Sequence, residues 1–150
     1  MALSSVGTRG WAARPWQSKA SVSVASASID VQRMLELATA GARGIEDDRG
    51  WVTVGPRTPV RVDFLMRDLA RPEAGEIMRF RVEAERAAGR VTARSAIESF
   101  TVKDSGVGGL VPVANRRLIG FSAYQAFMER FAAMVQADDI YSVVSFTSGR

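Results

Sequence analysis

The chain has 150 residues, 47% of them apolar and 24% charged, an ordinary globular composition that is short for two full domains. It contains no cysteine and no histidine, which removes thiol nucleophiles, disulfides, Cys/His zinc sites, Ser-His-Asp triads and imidazole proton shuttles in one step. Twenty basic residues against sixteen acidic ones give a formal charge of +4. The signs interleave, as in Arg79-Phe80-Arg81-Val82-Glu83-Ala84-Glu85-Arg86, so the one-sign patch that a nucleic-acid partner needs is missing and no nucleic acid is expected.

Residues 1–19 show no sustained period and read as an N-terminal arm, with Trp11 and Trp16 placed to cover apolar surface on this chain or on a partner. The arm lacks the apolar stretch of a secretory signal. No apolar run approaches the roughly 18 residues of a membrane span. The expectation is a cytoplasmic protein with no integral membrane segment. Residues 20–29 alternate small polar with apolar side chains, the period of a half-buried strand. Asp30 then stands as an N-cap for a short amphipathic helix carrying Val31, Met34, Leu35 and Ala38, with Gly41 where a terminating glycine belongs.

From Ala42 to Val102 the sequence predicts a succession of strands. Glu46-Asp47-Asp48-Arg49-Gly50 is a polar turn, and Trp51-Val52-Thr53-Val54 a short strand ended by Gly55-Pro56. Val60, Val62, Phe64 and Met66 share one face of the next strand, and Met78, Phe80, Val82 and Ala84 one face of the strand after it. Val91 to Val102 changes phase along its length, which a bulge near Ser95-Ala96 would reconcile. Residues 103–120 are loop-rich. A capping box at Ser122 to Gln125 opens the clearest helix, running to about Gln136 with Tyr124, Phe127, Met128, Phe131, Met134 and Val135 as its apolar stripe. Residues 138–150 form a tail whose Ile140–Phe146 stretch is either a terminal strand or an apolar segment needing a partner. Residues 20–137 are thus the domain, flanked by arm and tail.

A sheet with one apolar face must cover it, and the helix from 122 to 136 is the one element long and apolar enough to do so. The fold class that follows is α+β, a curved antiparallel sheet wrapped around a long C-terminal helix. This order resembles the helix-grip domains of the START and Bet v 1-like (SRPBCC, polyketide cyclase/dehydrase-like) superfamily. The resemblance rests on Ser21–Ile29 as first strand, Asp30–Ala40 as short helix, the strands from Trp51 to Val102, and the helix Ala123–Gln136. It implies a small hydrophobic or amphipathic ligand held in an internal pocket.

The residues expected to line that pocket are Phe64, Phe80, Phe100, Tyr124, Phe127, Met128 and Phe131. The methionines favour an adaptable interior. Chemistry, if there is any, falls to a carboxylate or a tyrosine, with Glu98, Asp63 and Tyr124 as acid–base candidates for a cyclase or hydratase type of reaction. Gly106-Val107-Gly108-Gly109 lacks the spacing of a phosphate or dinucleotide loop, so no cofactor is expected. Glu46, Asp47 and Asp48 lack calcium-loop spacing, so no metal is expected. Arg116-Arg117, just before the last helix, are basic residues at an anion-favouring helix end. The alternative to ligand binding is an assembly protein. Its apolar ends, Trp11 and Trp16 at one terminus and Ile140–Phe146 at the other, would then dock on a partner or form a homodimer.

Overall fold

The computed structural model describes residues 15–70, 73, 75–102 and 117–149. Trp11, the glycine loop 106–109 and Arg116 lie outside the described residues. A 3-10 turn at Trp16–Lys19 leads into β1 (Ser21–Ser26), followed by α1 (Val31–Ala42), β2 (Gly50–Thr58), β3 (Arg61–Asp68), β4 (Glu76–Ala87), β5 (Arg90–Phe100), α2 (Phe121–Asp138) and β6 (Val143–Thr147). The six strands form one antiparallel sheet in the order β2-β3-β4-β5-β1-β6. The chain is therefore α+β, with its last helix near the C-terminus. Within the Ile140–Phe146 stretch, Ile140 and Tyr141 form a turn and the strand begins at Val143, laid on β1 with Val22 opposite Phe146 and Val24 opposite Val144.

Alternation sorts the sheet into two faces. Val62, Phe64 and Met66 on β3 stand opposite Val82, Phe80 and Met78 on β4, all fully buried. Both helices cover this face. They run antiparallel to each other: Arg33 near the start of α1 pairs with Asp138 at the end of α2 at 2.9 Å, while Arg130 donates to the carbonyl of Arg43. The other face carries charges of both signs, with Arg61 opposite Glu83 and Asp63 opposite Arg81.

Asp30 caps α1 as expected, its carboxylate accepting from the Arg33 N–H at 2.7 Å. Three local expectations are corrected. Gly41 does not end α1. It lies within the helix, and a Cβ there would stand 3.4 Å from the Phe131 backbone, so the residue lets α1 and α2 approach closely. The left-handed glycine past the helix is Gly44, at φ +72°. The phase slip of β5 sits at Glu98 rather than at Ser95-Ala96: Ile97 opposes Phe80 and Ser99 opposes Arg79, leaving Glu98 as the extra residue. Ile97 and Phe100, three apart, therefore share the helix-covered face.

The third correction concerns the start of α2. The N-cap is Gly120, in the left-handed conformation and without a side-chain cap. Ser122 donates instead to the Asp47 carboxylate at 2.7 Å. That carboxylate also accepts from the N–H groups of Arg49, Gly50 and Ala123. An acid from the turn before β2 thus caps a helix 75 residues further on, where the helix dipole favours negative charge.

Candidate functional site

The seven residues expected to line a pocket converge on the helix-covered face. Phe64 stacks on Phe80 at 5.2 Å, and Phe127 from α2 inserts against both, at 5.1 and 4.9 Å. Phe131 stacks on Phe127 at 5.8 Å and Tyr124 meets Phe80 edge-on at 4.9 Å. Met128 is also buried, and Phe100 is half-buried at the end of the cluster. The rings are in mutual contact at distances favourable for aromatic pairs. A guest molecule here would have to part them. Met34, Met66 and Met78 are buried around this layer with Met128, and unbranched thioether side chains can re-pack around such a guest.

One polar chain crosses the apolar layer. The Tyr124 hydroxyl donates to the Ala20 carbonyl at 2.8 Å. Its proton is thereby committed, so the Ser95 hydroxyl, also 2.8 Å away, donates to Tyr124. The Ser95 oxygen in turn accepts from the Val22 N–H at 2.9 Å. Every group in the chain is satisfied, and it latches α2 to β1 and β5. Burial pushes the Tyr124 phenol well above its ordinary value of 10.0, with the Ser95 hydrogen bond opposing. A neutral phenol with both lone-pair and proton already engaged is a structural latch; acid–base work would require breaking it. Sequence reasoning picked out Tyr124 but missed Ser95, whose signal was available: it shares the parity of Val91, Ala93 and Ile97 on a strand buried on that face.

The carboxylate candidates lie on the opposite face. Asp63 is 5% exposed, with Arg61 Nε at 2.7 Å and Arg79 Nη1 at 3.5 Å. Glu98 accepts from Arg61 and, at 3.2 Å, from Arg81. The two acids therefore share Arg61 as a clamp, an arrangement that neutralises them and fixes the bulge in β5. Asp63 and Glu98 are thus on one side of the sheet and Tyr124 on the other, so the three do not form one acid–base site.

Two depressions open on the outward face of β4, β5 and β1. One of about 590 Å³ takes in Ser23, Glu83, Thr92 and Arg94; one of about 310 Å³ takes in Lys19, Ser21 and Arg94; Arg81 and Ala96 border both. Small residues floor them; charges of both signs rim the larger, while Lys19, Arg81 and Arg94 make the rim of the smaller one wholly basic. Among the described residues no three acidic side chains converge as metal ligands. No helix among the described residues is long and apolar enough to cross a membrane. Arg117 is exposed before α2. Comparison with protein-family models, with curated proteins and with solved structures finds no match for this chain.

Proposed function

We propose that the chain is a helix-grip domain, its sheet curved around α2, and that it binds a small hydrophobic or amphipathic molecule between the two. The observation that carries this reading is the double attachment at the start of α2. Ser122 reaches Asp47 beside β2, while Tyr124 reaches Ala20 beside β1. Those strands stand four places apart in the sheet, about 19 Å across if it were flat. One helical turn serves both sides most simply when the sheet rises toward α2 on either flank. A concave face lined by Phe64, Phe80, Tyr124, Phe127, Phe131 and Met128 is then a wall for an apolar guest. The guest's polar end would meet the half-buried Phe100 end of the cluster.

The test is native mass spectrometry of the purified full chain, joined to titration with an anilinonaphthalene sulfonate dye. A co-purifying small molecule, or saturable binding of one dye per chain competed by a fatty acid, is the expected result. Met128→Trp, which fills the interior, should weaken that binding at least about tenfold. A chain that carries nothing and takes up dye without saturation overturns the reading.

A further inference from the structure

We propose that β6 is an assembly edge, pairing antiparallel with β6 of a second copy so that two sheets join into one. This does not rest on the ligand-binding reading. Among the described residues, seven large apolar side chains are exposed, and four of them, Ile140, Tyr141, Val143 and Phe146, fall within seven consecutive positions. Ile140 and Tyr141 are 77% and 85% exposed, and Phe146, on the helix-covered face, is 54% exposed. From Ile140 to Gly149 the chain has no charge and no proline. Lysine, proline and bulges are the usual means by which a sheet edge avoids pairing, and β6 has none of them; its register on β1 runs without a break.

A second copy fits this edge for reasons of symmetry and charge. An antiparallel strand is its own complement under a two-fold axis. An axis beside Ser145, the middle of β6, sets Val144 against Phe146 of the partner subunit, and Val143 against Thr147 of the partner subunit. Each half-bare Phe146 then gains an apolar neighbour, and no like charges meet. The acids nearest by sequence are already engaged, Asp138 with Arg33 and Asp139 with Ser26 at 2.6 Å. Five paired residues alone fall short of the roughly 1,200–2,000 Å² of a stable interface. Ile140 and Tyr141 must add to it, and the association belongs in the micromolar range.

Light scattering on the full chain over about 1–100 µM tests this. The expected result is a mass rising to twice the 16.2 kDa of one chain, and single-chain mass throughout for Val143→Lys and Phe146→Lys with unchanged circular dichroism. Should either variant unfold, Tyr141→Lys, placed before β6, carries the test. Hydrogen exchange of wild-type β6 amides should also slow as concentration rises. A wild-type chain that stays single at every concentration overturns the proposal. So does a doubled mass that survives the lysine substitutions in folded protein.

Discussion

At the β2 edge the chain arriving from α1 folds back so that Ile45 and Glu46 pair with Val52 and Trp51, covering the first half of the strand. Its second half is interrupted at Gly55-Pro56, where the register shifts between Val54 and Arg57. Proline offers no N–H, a bulge twists the ladder away, and Arg57 adds charge. At the β6 edge none of these devices occurs among the described residues. A guarded edge and a regular, apolar one thus stand at opposite ends of the same sheet, and the second is the edge that the proposed pairing would use.

The two flanks also hold α2 by different physics. On the β1 flank the grip is the buried Val22–Ser95–Tyr124–Ala20 chain; on the β2 flank it is the partly exposed Asp47 carboxylate. An unsatisfied buried group costs more than an exposed one, so the larger effect is expected on the β1 flank. Tyr124→Phe strands the Ala20 carbonyl and leaves the Ser95 hydroxyl without its acceptor. It should cost about 1–3 kcal/mol in urea unfolding at pH 7. The sign with pH follows from the raised pKa. Above the ordinary phenol value of 10.0 the unfolded chain gives up a proton that the folded chain keeps, so wild-type stability falls as pH rises. The gap between wild type and variant should therefore narrow above that value, and a gap that widens there contradicts the latch.

How legible this was depended on whether a signal was local. Val62, Phe64 and Met66 facing Met78, Phe80 and Val82 follow from period-two alternation, and the Asp30 cap follows from one residue before an apolar stripe. Both are decided within a few residues. The Gly41 reading failed because a helix-ending glycine and a helix-crossing glycine look the same until the second helix is placed against Phe131. The capping box at Ser122 failed for a related reason: Asp47, a carboxylate distant in sequence, takes up the Ser122 hydroxyl that the box would have turned onto its own helix. The shift at Glu98 was foreseen as a bulge but misplaced, since parity alone says that a slip occurs between Ala93 and Phe100, and only the partner strand says where. The contacts among Phe64, Phe80, Tyr124, Phe127 and Phe131 were legible because rings on facing periodic stripes must meet, whereas Phe121, whose ring stands 6.0 Å from that of Tyr124, was not picked out. Whether they enclose space depends on curvature, which no local pattern encodes.

The Asp47 grip should be weaker and should respond to acid in the opposite sense to Tyr124. Burial raises the Asp47 pKa, but hydrogen bonds from Ser122 and from the N–H groups of Arg49, Gly50 and Ala123 outweigh it and leave the carboxyl below its ordinary 3.8. A depressed carboxylate adds stability above its unfolded value and loses it as pH falls through the folded one. Asp47→Asn should then cost about 0.5–2 kcal/mol at neutral pH, the range of a lost helix cap. The difference from wild type should shrink toward pH 3, read from urea midpoints at the two pH values. An equal difference at both would mean that Asp47 contributes shape and not charge.

The smallest effect on stability, and the sharpest one on the contrast between edges, is expected at Pro56 and Arg57. Both lie at exposed positions of β2, so Pro56→Val with Arg57→Thr should move stability by no more than about 0.5 kcal/mol. The pair restores an N–H and removes a charge, which makes the β2 edge resemble β6. Made in a chain already carrying Val143→Lys, where the β6 edge is blocked, the substitutions should raise the mass in solution above that of the Val143→Lys protein at equal concentration. If the mass stays that of one chain, the bulge and the Ile45–Glu46 cover suffice to guard β2. The asymmetry between the edges would then lie in backbone shape and not in the chemistry of Pro56 and Arg57, and a bulge engineered into β6 should abolish its pairing without any added charge.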